Sequence, residues 1–391
     1  MSECLNSLRF ENTRYKKILE EFKGSLEWLW DNEEYRAWSS TDRSDLLLIE
    51  GKPGSGKSTL MKYFQRNLVE QEPPAGGRPI VASFYYSHRE GEQQTNHANM
   101  LRSVLYDILS RNEVFFFHFQ PHYRQSVQPS GDHHWTYKSL RNVLLSLSER
   151  HPVGERIYLI IDAMDESDCG ERSDVIKLFY GLCASKGPCI VKTFVASRPI
   201  SGLIRHSEKV HKVIRLQDFN TSAILAFTRS FLGPEIGLPP EDIREATEYI
   251  VHHAQGVFVW VDLVGKELLR FSEDGGTTNE IFEYLRSLPT ELEELYKIIL
   301  TRLEKGSPQY IEAGRRMLQF VLFTFRPLKL EELRQALAIR DGIDDEFPCT
   351  EESFKRDLIH WIERRIISCC ENLLEIKGDH GASFGLPRIN H

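Results

Sequence analysis

No stretch of this 391-residue chain approaches the run of about 20 apolar residues that a membrane-spanning helix needs. The first residues, MSECLNSLRFENTRYKK, contain no apolar segment of the kind that opens a secretory signal. An excess of positive charge is lacking too. Lys and Arg number 49 against 57 Asp and Glu, and the formal charge of −8 offers no general attraction to nucleic acid or anionic lipid. Cysteine is sparse: seven residues, none in a CxxC pair, and the odd count argues against a disulfide framework. A reduced, cytoplasmic setting is the simplest expectation. The fourteen histidines include the adjacent pairs His133-His134 and His252-His253, but no HExxH or Cys/His spacing occurs. Neighbours on a helix face different ways, so these pairs make no metal site. No fixed repeat is present, which excludes solenoids and propellers.

What is present divides into two textures. Up to about residue 216, short apolar runs (Leu46–Glu50, Ile80–Tyr86, Ile157–Ile161, Ile190–Ala196 and Val213–Leu216) alternate with helical segments such as Met100–Leu109, Ser139–Ser148 and Ser173–Cys183. Near-continuous apolar strands separated by helices predict a parallel sheet covered on both faces. After residue 216 the spacing predicts helices throughout: Thr221–Phe231, Asp242–His252, Val257–Arg270, Glu280–Ser287, Glu291–Leu303, Ala313–Phe323 and Leu330–Ile339. The closing HGASFGLPRINH carries no clear pattern of either kind. Trp28, Trp30 and Trp38 in the lead-in are expected to pack against the domain that follows. The aromatic string VFFFHFQPHY, Val114–Tyr123, has no clean period and leaves two readings open: a loop tucking its rings under the sheet, or an exposed contact patch.

One segment carries chemistry plainly. Gly51-Lys52-Pro53-Gly54-Ser55-Gly56-Lys57-Ser58 fits GxxxxGK[ST], after an apolar strand and before a helix. Its glycines let backbone N–H groups close on phosphate oxygens, and the helix opening at Lys57 adds the positive end of its dipole. Lys57 is suited to the β and γ phosphates, the Ser58 hydroxyl to Mg2+, and Thr59 completes the loop.

Two further strand ends supply partners. IYLIIDAMDES places Asp162 where it can hold the Mg2+ shell, with Asp165 and Glu166 next to orient or deprotonate an attacking water. CIVKTFVASRP ends a strand at Arg198, on the rim shared by the loop and Asp162, where a guanidinium can read a terminal phosphate. Each has a plainer reading: solvated acids after a strand, and an Arg paired with a surface acid.

Strand–GKPGSGKST–helix, IIDAMDE and a strand ending in SRP together resemble the NACHT class of nucleotide-switch NTPases. The closer resemblance is to the fungal nephrocystin-like N-terminal domain of NLR-like proteins. CLNSLRF…SLEWLWDNEEYRAW, SFYYSHREGE…MLRSVLYDIL, GVFVWVDLV, LPTELEELYKIIL and RPLKLEELRQAL extend it across nearly the whole chain. Ala163 after Asp162 and the Asp165-Glu166 pair separate this class from a generic P-loop protein. The resemblance implies an α/β P-loop NTPase fold with a five-stranded parallel sheet, followed by an all-helical region. It divides the chain into a helical lead-in (1–40), a core (41–217), a helical lid (218–288) and an incomplete winged-helix-like region (289–391). It implies a switch worked by ATP or GTP with Mg2+, slow hydrolysis, self-association through the core, and no nucleic-acid partner. No NKxD motif selects guanine. A nucleotide-binding scaffold without significant turnover is the alternative. Three departures from that pattern stand out. Gly256-Val257 is followed by Phe258 where related lids carry Gly-x-Pro, and no His is assigned to the β-phosphate contact of the winged-helix region. The family's sensor repeats are not found in this sequence, as expected of either a short, sensorless form or a truncated gene model.

Overall fold

A computed structural model of the chain describes residues 2–71, 79–126, 135–150, 156–184, 187–200, 203, 211–305, 307–324, 328–339, 351–370, 373–377 and 383–385. The His133-His134 pair, Cys349 and the end of the chain from residue 386 lie outside them. Among the described residues no helix is long and apolar enough to cross a membrane. The chain forms two compact units, Met1–Ala223 and Ile224–His391.

The first unit is built on five strands: β1 (Asp45–Glu50), β2 (Ile80–Tyr85), β3 (Arg156–Asp162), β4 (Ile190–Ser197) and β5 (His211–Arg215). All pair parallel, in the order β2-β3-β4-β1-β5. Because side chains alternate along a strand, each apolar run feeds two cores at once. Leu46, Leu48, Phe84, Leu159, Ile161 and Val195 enter one face, against the helices His97–Arg111, Glu113–Ser126, Tyr137–Arg150 and Arg172–Ala184. Leu47, Ile49, Tyr85, Tyr158, Ile160 and Phe194 enter the other, against Leu60, Met61 and Phe64 of the helix Lys57–Gln71.

The lead-in closes this second face. Trp38 is fully buried and its indole N–H donates to Asp45 O, while Trp30 stacks on Phe64 and Trp28 on Phe219. Asn32 caps the helix that carries Trp38, accepting from the N–H groups of Glu34 and Tyr35. Helix His97–Arg111 starts the same way on Asn96.

The aromatic string is neither a loop nor wholly a surface patch. It lies in the helix Glu113–Ser126. Phe115 and Phe119, four residues apart, share a buried face, and Phe119 stacks on Trp135; Phe117, on the opposite side, is 67% exposed. Phe116 is buried too, widening the inner face, and Phe117 blurs the helical period because the surface side carries an aromatic ring as well.

The second unit is helical where the spacing predicts it: Pro240–Ala254, Phe258–Glu273, Thr278–Ser287, Leu292–Leu303, Pro308–Phe323 and Leu330–Ala338. Trp260, Val264 and Leu268 form one core with Ile281, Leu285, Leu295 and Ile299. Met317, Leu333, Leu337, Ile366 and Cys370 form another. Strands do not end at residue 216. Glu375–Lys377 pairs antiparallel with Ser383–Gly385, which lies inside the patternless tail. Three residues per strand are too few to show alternation in a sequence.

Candidate phosphate-binding site

β1, paired on both sides, delivers the chain to Gly51 at the C-terminal rim of the sheet, and the helix Lys57–Gln71 carries it away. In between, Gly54 and Gly56 hold φ of 73° and 95°, a region that side-chain-bearing residues rarely adopt. A Cβ built on Gly56 would meet no protein atom within 4 Å, so the loop presents open backbone on that side. Asn220, almost fully buried, donates through Nδ2 to Ser55 O at 2.8 Å and anchors the loop from below. Nothing in the sequence singles Asn220 out; it reaches the loop from 165 residues away.

Lys57 folds over the loop. Its ammonium donates to Gly51 O at 2.8 Å and Lys52 O at 3.0 Å. Burial pulls its pKa below the ordinary lysine value, opposed by the carboxylates of Asp165, Asp162 and Glu166. The same surroundings include Arg198. The structure therefore brings all the candidate acids and both cations to one rim of the sheet.

Asp162 closes β3 with no exposed surface, and neither carboxylate oxygen has a hydrogen-bond partner. Complete burial pushes its pKa up to about 6; Arg14 opposes this most, then the Ser58 hydroxyl, which is near but outside hydrogen-bonding geometry. An orphaned buried carboxylate beside a serine hydroxyl fits one part of a Mg2+ shell whose other ligands are phosphate and water. Among the described residues no group of three or more His, Cys, Asp and Glu gathers into a protein-only metal cage.

Directly after Asp162, Ala163 holds φ 52°, ψ 49°. A left-handed alanine costs about 1 kcal/mol or more, and this bend swings Asp165 and Glu166 back along the rim. Asp165 accepts the Arg198 backbone N–H at 2.9 Å and pairs with its Nε at 3.2 Å. Glu166 accepts the His88 N–H at 3.1 Å, just beyond β2. Arg14 is the cation that sequence reasoning missed. It comes from the lead-in, is 6% exposed, and touches Ser87 Oγ at 3.4 Å.

A parallel sheet with a glycine loop, a lysine and a strand-end carboxylate at one rim defines a P-loop NTPase domain. Comparison with known proteins places that domain more closely. Residues 24–198 match the family model described as Nephrocystin 3, N-terminal. The vegetative incompatibility protein HET-E-1 of Podospora anserina is 25% identical over 366 residues, 90% of this chain and 26% of that protein. The chain thus spans about a quarter of the length of that curated relative. Over residues 24–198 the chain is thus similar to the nephrocystin-like N-terminal family, in keeping with its P-loop NTPase fold. Solved structures similar to it include a Walker-type ATPase of Pyrococcus abyssi, 13% identical over 99% of this chain and 98% of that one, TM-score 0.37. Another is the Orc1 protein of Aeropyrum pernix in complex with DNA, 12% identical over 98% and 92%, TM-score 0.37.

Proposed function

We propose that the protein is a nucleoside-triphosphate-binding signalling switch with slow Mg2+-dependent hydrolysis. The observation that carries this reading is the buried, unpartnered carboxylate of Asp162 beside Ser58, at the rim where Lys57 crosses the loop. Such a carboxylate is costly unless a cation comes to it. The loop amides and Lys57 bind the β and γ phosphates; Ser58 and Asp162 hold Mg2+, which supplies charge neutralisation between them. Glu166 and Asp165 orient the water, and Arg198 reads the terminal phosphate. Gly51, Pro53, Gly54, Ser55, Gly56 and Thr59 complete the cradle.

Switching rests on differential affinity, because a nucleotide favours whichever arrangement binds it better. Residues 218–288 act as the lid and 289–391 as a winged-helix-like element, a reading supported by the helices Pro308–Phe323, Leu330–Ala338 and Ile362–Cys370 sharing a core beside a short antiparallel strand pair. Self-association through the core, a cytoplasmic location and a part in fungal self/non-self recognition belong to the same proposal, the last supported by the likeness to a vegetative incompatibility protein. A scaffold that binds nucleotide without turnover is the second reading, favoured by the hold that Arg198 keeps on Asp165.

Calorimetric titration with ATP, GTP and their diphosphates, with and without Mg2+, tests the binding. Single-turnover hydrolysis by wild type and Glu166→Gln tests the switch against the scaffold. Equal rates in the two proteins would remove Glu166 from the chemistry and favour the scaffold.

A further inference from the structure

The lead-in carries a buried charge that the phosphate loop alone does not explain. Arg14 is sealed at 6% exposure, with Nε lacking any hydrogen-bond partner and only the long contact to Ser87 Oγ for Nη1. Among the described residues no carboxylate comes within 4 Å of it. A guanidinium has five N–H donors, and one buried with its donors unspent is costly.

The segment around Arg14 is fixed on purpose-built contacts. Asn12 accepts from Gln94 Nε2 at 2.9 Å, and Gln94 donates also to Tyr85 O, the last residue of β2. Thr13 Oγ1 donates to Glu90 at 2.9 Å, and Lys17 pairs with the same carboxylate. Glu90 is therefore taken by Arg14's neighbours. These ties hold Arg14 at the end of β2, beside the end of β3, where Tyr86 N–H donates to Asp162 O at 3.1 Å. There it is the strongest charge acting on Asp162, ahead of Lys57.

Two opposite charges, both buried and both under-satisfied, thus share one compartment without forming a pair. A bare divalent cation would satisfy Asp162 and repel Arg14. A bare anion would do the reverse. A metal-bound polyphosphate carries both signs, with the cation toward Asp162 and its net negative oxygens free to accept from a guanidinium.

Resting on the nucleotide reading above, we infer that Arg14 is a phosphate-binding residue of that site, which takes the terminal phosphoryl group of a metal-bound triphosphate from the side opposite Lys57. Arg14 then makes the lead-in part of the binding site, so triphosphate and diphosphate tie that segment down unequally.

The test is titration of Mg2+-loaded β,γ-imido ATP and GTP, and of ADP and GDP, into wild type, Arg14→Ala, Arg14→Lys and Lys57→Ala. Arg14→Ala should lose at least tenfold in triphosphate affinity and less than threefold in diphosphate affinity. Arg14→Lys keeps the charge and the fold but not the fork, and should lose at least threefold of the triphosphate preference even if the alanine variant fails to fold. An unchanged preference in the lysine variant, or equal loss of both nucleotides in the alanine variant, overturns the inference. If Lys57→Ala loses binding while the Arg14 variants keep the wild-type preference, only this inference fails. If Lys57→Ala binds as wild type does, the nucleotide reading itself fails.

Discussion

Arg198 and Asp165 form an ion pair at 3.2 Å across the rim of the sheet, and the Arg198 backbone N–H donates to the same carboxylate at 2.9 Å. The proposed phosphate-reading cation is thus held by one of the proposed catalytic acids. A terminal phosphate must compete with Asp165 for the guanidinium, which ties the acid's freedom to the nucleotide's state. Arg198→Ala is expected to leave diphosphate binding within about threefold and to slow hydrolysis by roughly 100- to 1,000-fold, the range of losing one preorganised donor. Parallel calorimetry and single-turnover assays check this, and matched loss of both nucleotides would contradict it.

Lys57→Ala removes the ammonium that lies over the loop and donates to Gly51 O and Lys52 O. Triphosphate binding should disappear from calorimetry at micromolar concentration. Retained micromolar affinity would remove Lys57 from the site, and the nucleotide reading built on it would fail.

Asp162→Asn keeps the size of a fully buried side chain and removes its charge. The gain in nucleotide affinity on adding Mg2+ should fall at least tenfold, while affinity in EDTA stays near the wild-type value. If the Mg2+ dependence is unaltered, another group holds the ion.

A pH effect on stability is expected from Asp107. Its carboxylate accepts the Ser83 N–H at 3.0 Å, on the outer side of the edge strand β2, where no neighbouring strand can. Burial pushes its pKa from 3.8 to about 6, against the pull of that hydrogen bond. Between those values the folded protein keeps a proton that the unfolded chain releases. Stability therefore falls as pH rises through this window and levels off above it, by roughly 2–3 kcal/mol at 1.36 kcal/mol per unit. Asp107→Asn keeps an acceptor for Ser83 and should lose this slope. Urea unfolding at pH 4 and pH 7 gives the comparison, and identical slopes would rule Asp107 out as the cause.

In the second unit, Glu267 is fully buried and receives Arg302 through both oxygens at 2.6 and 2.9 Å, and the Tyr284 hydroxyl at 2.7 Å. Burial alone would raise its pKa, but these hydrogen bonds prevail and hold it below the ordinary glutamate value. Arg302→Ala leaves that carboxylate buried without its main counter-charge and should destabilise by about 3–5 kcal/mol. Adding Glu267→Gln should recover part of the loss; a double variant no more stable than the single one would show that charge is not the issue.

The sequence by itself determined the class of fold. LLLI, IYLII and the runs like them are apolar at successive positions, and only strands covered on both faces need that. It determined the helices after residue 216 as well, because an apolar stripe of period 3.6 survives in any context. The loop from Gly51 to Ser58 was legible because its chemistry is local, each residue acting on the same few ångströms of backbone. Tertiary structure decided the rest. The helix through Phe115 and Phe119 came from a core that buries one side and leaves Phe117 outside. Arg198 meets Asp165 because β4 lies beside β3 in the sheet, an adjacency that no spacing along the chain encodes. Asn220 under the loop and Arg14 beside Asp162 arrive from opposite ends of the unit. Their electrostatic weight comes from burial, and burial is a property of the packed chain rather than of any residue in it.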